Sequence, residues 1–329
     1  MSVLRLSASD LGRRVVVRRL LTGGGATDVV GELLSIEADV VRVLPDDGPA
    51  VAVPVADVVA AKAVPPRRVT PSSSPDALER VMLAGWPGLH SERLGGWVLR
   101  ASGGFTRRAN SALVVGNPGM PLEQALDVVR TFYDRLGLRP AVQVPVPLTD
   151  DRRWRDPRLL AAVEGQGWSA DSGTDVMTLD LRRGGAGEAA SLPAGAVLGW
   201  ADEPDDDWLA LYRYHGSALP PVARDVLLAA RHQAFASVRG DGGTVAVGRV
   251  AVAFGWVGIT AMQVAEEQQR HGIARALLAG MLERGRSDGA RFAYLQVLSD
   301  NAPAIALYSS AGFAPHHRYL YLGPPDIAR

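Results

Sequence analysis

The sequence contains no cysteine, which removes disulfides, thiolate metal sites and a cysteine nucleophile, and fits a reducing compartment. Lysine is almost missing: Lys62 stands alone among the 35 basic residues. Excess charge of either sign is missing too, because 35 Lys and Arg balance 35 Asp and Glu over 329 residues. No global field therefore draws the chain to nucleic acid, to an anionic membrane or to an acidic substrate. No run of eighteen apolar residues is present, and the opening MSVLRLSASD is too short in apolar length for a signal peptide, so the expected location is the cytoplasm. Aromatics make up only 6% of the chain, yet 47% of it is hydrophobic, enough to build a sizeable core. The length predicts more than one domain.

Residues 1–64 alternate short Val-rich runs (RRVVVRRL, DVVGELLSI, EADVVRVL, VAVPVADVV) with Gly, Asp and Pro turns, the pattern of a small antiparallel barrel of SH3-like type. PPRRVTPSSSPD then reads as a linker, and RRGGAGEAASLPAG as a second break. The expected division is a barrel at 1–66, a linker at 67–76, one half at 77–182, a linker at 183–194 and a second half at 195–329. The same order of elements follows in both halves. LEQALDVVRTFYDRLG, PAVQVPV, LLAAVEGQGW and DVMTLDL repeat as GIARALLAGMLERGRSDG, FAYLQVL, APAIALYSSAGF and HRYLYL, each time as helix, strand, helix and strand. An internal duplication and a generic helix-strand alternation both produce this order.

The second half carries a specific junction. GWVGITAMQVA has the apolar, β-branched character of a buried strand. After it, Ile273, Ala276, Leu277, Gly280 and Met281 fall on one helix stripe. QQRHG joins the two. The first amides of that helix point outward with its positive dipole end and suit an anion. Gly272 would admit a phosphate closely, with Gln269, Arg270 and His271 as side-chain donors. The loop is neither G-x-G-x-x-G nor a P-loop, and by itself a glycine beginning a helix is more often a structural turn.

Q269-R-H-G272-I-A274, followed by N301-x-x-A304-x-x-L-Y308-x-x-x-G-F313, resembles the GNAT family of acyl-CoA-dependent N-acetyltransferases, whose loop reads [RQ]-x-x-G-x-[GA]. The likeness is strong over the last third of the chain. Residues 77–182 resemble a degenerate GNAT-like half, as in tandem members, and the whole is similar to actinobacterial acetyltransferases with an SH3-like start. The resemblance implies a mixed α/β acyltransferase fold of tandem form, with acetyl-CoA as co-substrate and no metal. Main-chain groups of Met262, Gln263 and Val264 would hold the pantetheine arm, as an added strand is held. Gln269, Arg270, His271, Gly272, Ile273, Ala274 and Arg275 would cradle the diphosphate. Asn301 and Ala304 would line the wall, and Tyr308 would act as general acid to the leaving thiolate.

Other assignments stay open on the residues. Tyr308 alone could be a packed core tyrosine and Asn301 a helix N-cap. Trp208, Leu211, Tyr212 and His215 would share one helix face, turned either to an acceptor or to the core. Arg107, Arg108, Asn110 and Ser111 bind an anion or form a turn. Glu266, Glu267, Asp300, His215 and His232 are candidate bases with no signal favouring one. His316 and His317 are expected on opposite faces of a strand. The expected reaction is acetyl transfer to a primary amine, on a small molecule or a protein, in a ternary complex; a non-catalytic acyl-CoA sensor or scaffold is the alternative. The barrel, whose charges nearly cancel, is read as a protein-docking or purely structural module, with nucleic acid disfavoured.

Overall fold

The computed structural model describes residues 5–45, 50–65, 68–146, 148, 157–170, 173–183, 191–213 and 218–325. One compact unit comprises Met1–Arg68, Glu92–Val98 and Val114–Val128, and the other Val69–Ser91, Leu99–Leu113 and Val129–Arg329.

The N-terminal strands are β1 (Arg14–Leu20), β2 (Ala26–Ile36), β3 (Val40–Pro45), β4 (Val51–Pro54) and β5 (Val58–Ala63). They form one antiparallel sheet in the order β4-β3-β2-β1-β5. The alternation read from the sequence puts Val15, Val17, Val41, Val43 and Val53 on the inner face, where all are fully buried with Leu33. VAVPVADVV is two strands, because Pro54 ends β4 and a 3-10 turn at Val55–Asp57 redirects the chain into β5.

In the second unit, helix α1 (Pro75–Gly85) starts at the serine-rich segment. The Ser74 hydroxyl accepts from the Ala77 amide and Pro75 occupies the first turn, so residues of low helix propensity inside a helix become its cap. The following elements are β6 (His90–Leu94), β7 (Trp97–Ala101), β8 (Ala112–Leu113), α2 (Leu122–Arg135), β9 (Val142–Val146), α3 (Pro157–Gly165), β10 (Ser169–Ala170) and β11 (Thr174–Asp180). Then come β12 (Val197–Ala201), α4 (Asp206–Leu211), α5 (Ala223–Leu227), β13 (Gln233–Gly240), β14 (Gly243–Ala253) and β15 (Trp256–Val264). The chain closes with α6 (Ile273–Ser287), β16 (Phe292–Leu298), α7 (Ala302–Ser310) and β17 (Ala314–Gly323).

The large sheet runs β12-β13-β14-β15-β16-β11-β17-β9-β8-β7-β6, with β10 beside β17. Its order is symmetric about the β11–β17 pair. On one side stand β16 and its parallel partner β15; on the other stand β9 and its parallel partner β8. Strand β11 thus completes the sheet of the later half, and β17 that of the earlier half. This exchange of terminal strands is the order an internal duplication produces, and it joins both halves through continuous backbone hydrogen bonds. Helix α6 lays Ile273, Ala276, Leu277, Leu278, Met281 and Leu282 on β13, β14 and β15, forming the main core.

Candidate active site

Strands β15 and β16 pair in parallel only from Trp256–Phe292 to Ile259–Leu295. Beyond that point β15 continues to Val264 and β16 to Leu298 without each other. The cause lies in β15. Its register against β14 slips between Val247 and Arg249, and Ala261 takes a left-handed backbone, φ 53°, in the bulge. A bulge bends its strand and re-aims the residues after it, so Met262, Gln263 and Val264 lean toward β14 and leave a wedge open to β16.

The wedge leads to the start of α6. Gly272 caps that helix in the left-handed region at φ 79° with no side-chain cap, and a Cβ built there would meet nothing within 4 Å. Glycine is thus required by the backbone rather than by crowding. Gln269, Arg270, His271 and Gly272 are exposed, as is Arg275; Ala274 is half-buried, and Ile273 is buried as the helix's first core residue. Arg270 is also left-handed, φ 66°, and Gln269 Nε2 donates to the Val264 carbonyl at 3.4 Å. Across the mouth, the Arg275 guanidinium donates to Ser310 Oγ at 3.1 Å and ties α6 to α7.

Helix α7 forms the opposite wall. Tyr308 is partly buried, its ring set edge-on to Phe313 at 6.1 Å and its hydroxyl 4.0 Å from Met262 Sδ. Burial raises its pKa above the usual phenol value. Ala304 packs on the same core with Ile305 and Tyr308. Asn301 Oδ1 accepts from the Ala304 amide at 3.1 Å, so the cap role is filled.

The structure thus brings Met262, Tyr308 and Ala304 to one wedge and Gln269–Arg275 to its mouth. Other candidates lie elsewhere. Trp208 is buried, with Nε1 donating to the Ala236 carbonyl at 3.1 Å, and α4 ends at Leu211; His215 lies outside the described residues. The core-facing reading holds for this helix. Asn110 serves a turn: its amide binds the Ser102 and Gly104 amides and the Phe105 and Thr106 carbonyls. Glu266, Glu267, Asp300 and His232 are exposed.

The expectation for the histidine pair is corrected. The β11–β17 register slips so that His317 faces Val176 and Pro315 faces Met177, which leaves His316 as the extra residue of a bulge. A bulged residue escapes the alternation of faces. The two imidazoles meet, Nδ1 to Nδ1, at 2.7 Å. His317 Nε2 reaches Glu79 Oε1 at 3.1 Å, Glu79 Oε2 accepts from Gln143 at 2.9 Å, and Gln143 Oε1 accepts from Arg100 at 2.8 Å. Burial, with His317 beside it, holds the His316 pKa down at about 4. This interior chain had no sequence signal, since its members lie on β7, α1, β9 and β17.

A mixed sheet parted beside a glycine-capped helix, in this order of elements, is the fold of the GNAT acyltransferases, and the matching family and relatives make the chain an acyl-CoA-dependent transferase. Known proteins narrow the class. Residues 73–322 match the family model described as "Probable histone acetyltransferase Rv0428c C-terminal", and residues 9–62 match the "Rv0428c N-terminal Sm-like domain". The small barrel expected as SH3-like is thus of the Sm-like kind. The "Probable histone acetyltransferase Rv0428c" of Mycobacterium tuberculosis (strain ATCC 25618 / H37Rv) is 32% identical over 98% of each chain. An "Uncharacterized N-acetyltransferase YobR" of Bacillus subtilis (strain 168) is 26% identical over 73% of this chain and 96% of its own. Among solved structures, a GCN5-related N-acetyltransferase from Kribbella flavida superposes with a TM-score of 0.55 at 18% identity, covering 76% of this chain and 95% of that one. A tandem GNAT protein from the clavulanic acid biosynthesis pathway gives 0.51 at 19% identity, over 66% and 76%. The chain belongs to the Rv0428c family of GNAT acetyltransferases with an N-terminal Sm-like domain.

Proposed function

We propose that the protein transfers an acetyl group from acetyl-CoA to a primary amine by direct attack within a ternary complex. The observation that carries this reading is the parting of β15 from β16 beyond Ile259 and Leu295, beside an exposed, uncapped helix start. The first amides of α6 lack intrahelical partners and carry the dipole's positive end, so Gly272–Ala274 suit the diphosphate. Main-chain groups of Met262, Gln263 and Val264 suit the pantetheine amides.

In the reaction the amine nitrogen attacks the thioester carbonyl, negative charge develops on its oxygen, and a β15 amide near Val264 stabilises it. The carbon–sulfur bond then breaks. The Tyr308 hydroxyl gives its proton to the leaving thiolate, and the proton surplus on the attacking nitrogen passes to water. Burial suits Tyr308 to the role, because a phenol kept neutral at pH 7 is a donor. The relative's name carries histone acetylation, so a protein lysine belongs among the acceptors to assay, beside small-molecule amines.

The test is thiol release from acetyl-CoA by the full chain over a panel of amines and lysine peptides, beside Tyr308→Phe. Turnover by the wild type that falls about 100-fold in the variant supports the reading. Binding of acetyl-CoA with no turnover on any amine would instead make the protein an acyl-CoA sensor or scaffold.

A further inference from the structure

Gly248 on β14 faces α6, since a Cβ there would lie 2.6 Å from Met281 Sδ. Its neighbour Arg249 therefore projects from the other face of the sheet, away from the mouth of α6. Arg249 is fully buried at 0% exposure. Its Nε donates to the Leu227 carbonyl at 2.7 Å, and its Nη1 to the Gly85 carbonyl at 3.1 Å and to Thr260 Oγ1 at 3.3 Å. Nη2 is buried with no partner.

A second guanidinium stands nearby. Arg249 lies 4.9 Å over the Trp86 ring and Arg108 lies 5.5 Å over the same ring. Arg108 Nε is also buried without a partner. Among the described residues, neither has a carboxylate within ion-pair distance. Burial, with the like charge of Arg108 adding to it, pushes the Arg249 pKa down to about 10.

Arg100 shows what the fold does when a buried guanidinium is purely structural. Its Nε reaches the Ser111 carbonyl at 3.0 Å, and its Nη2 reaches Ser111 Oγ at 3.0 Å and Gln143 Oε1 at 2.8 Å, with Glu79 one bond further. Arg249 lacks such closure at Nη2, and Arg108, which bonds the Tyr319 hydroxyl, lacks it at Nε. An unpaired charged donor in the interior is costly, and an oxyanion is the group that would complete the site, because guanidinium forks bind carboxylate and phosphate.

The place matters as well. Thr260, the cross-strand partner of Arg249, is the first β15 residue beyond the last β15–β16 pair. The Arg249 donor thus lies beside the root of the wedge, on the sheet face opposite α6, with Arg108 across the Trp86 ring from the same cluster.

Resting on the acetyl-transfer reading, we propose that Arg249 and Arg108 form an oxyanion subsite for the acceptor, so that the amine substrate carries a carboxylate or a phosphate. The test is thiol release by the full chain at saturating acetyl-CoA with matched pairs: free amino acids against their C-terminal amides, and phosphoethanolamine against ethanolamine. The expected result is at least a 10-fold preference for the anionic member in one series, and which series shows it tells carboxylate from phosphate. In Arg249→Gln and Arg108→Gln the KM of that acceptor should rise roughly 10- to 100-fold, with acetyl-CoA affinity by calorimetry held within a few-fold. Neutral members used as well as their anionic partners, or a preference unchanged in both variants, would overturn the subsite.

If no amine turns over, the acetyl-transfer reading fails, and the subsite is judged without turnover. Thermal melts at fixed ionic strength should then show stabilisation by millimolar acetate or inorganic phosphate over chloride, lost in Arg108→Gln. Equal melting in all three salts would overturn it. Arg108→Gln also covers the case in which Arg249→Gln fails to fold, since Arg108 is the less buried of the two.

Discussion

The Tyr294 ring lies between β15 and the end of α1, and two glycines make room for it. A Cβ on Gly85, the last residue of α1, would lie 2.1 Å from the Tyr294 hydroxyl oxygen and 3.4 Å from the ring carbon that bears it. A Cβ on Gly258 would lie 2.3 Å from the same oxygen. Gly85→Ala should therefore destabilise the wild type by about 1–3 kcal/mol through overpacking, since the ring is buried and cannot swing away. Removing the oxygen with Tyr294→Phe leaves the 3.4 Å ring contact and an ordinary one of 3.7 Å to Ala251 Cβ, which a small shift accommodates. On that background Gly85→Ala should cost nothing, or gain about 0.5–1 kcal/mol from the lower backbone entropy of alanine in a helix. The assay is a double-mutant cycle by urea denaturation, followed by tryptophan fluorescence, to which Trp86 next to Gly85 contributes. A change of sign between the two backgrounds is expected, with a coupling of about 1–3 kcal/mol. Equal cost of Gly85→Ala in both backgrounds would refute the packing of Tyr294 against α1.

Acidification probes the histidine bulge. The folded His316 pKa, about 4, lies below its ordinary 6.5, so the unfolded chain takes the proton first. This part of the stability is intact above pH 6.5 and is lost as pH falls toward 4, by at most about 3 kcal/mol. Urea midpoints at pH 7 and pH 5 should differ less in His316→Asn than in the wild type, and an unchanged difference would contradict the buried neutral imidazole. Asn301→Ala removes the cap of α7 and should lower stability by about 1 kcal/mol in the same assay. Tyr308→Phe should lower kcat while leaving acetyl-CoA affinity within a few-fold, and a loss of affinity matching the loss of rate would make Tyr308 a packing residue.

Local features of the fold were legible where each residue's environment is set by its neighbours in sequence. The valine alternation of β1 to β3 and the apolar stripe of α6 emerge at the faces their periods dictate. The exchange of β11 and β17 was not legible, because strand order is decided by distant edges and leaves no local pattern. Pro54 and the serines before Pro75 misled in the opposite sense: they read as strand interior and as linker, yet one is a strand end and the others lead into a helix cap. At the site, the motif positions on β15, α6 and α7 were visible from spacing. The unpaired donors of Arg249, in an apolar strand, and of Arg108, in a 3-10 turn, were hidden, since an orphaned guanidinium nitrogen looks like a solvated one until its neighbours are placed. The meeting of His316 with His317 depends on a single register slip, which alternation alone predicts wrongly.

The central claim is that the start of α6 grips the diphosphate of acetyl-CoA. A calorimetric titration of acetyl-CoA into the full chain and into Gly272→Glu tests it most directly. No neighbour lies within 4 Å of the new Cβ, so the variant should fold, at a cost of about 1–2 kcal/mol for the left-handed backbone. The wild type should bind acetyl-CoA and the variant should lose at least about tenfold in affinity, because its carboxylate stands where the phosphates belong. A wild type that takes up no acetyl-CoA, or a folded variant that binds it equally well, would contradict the account.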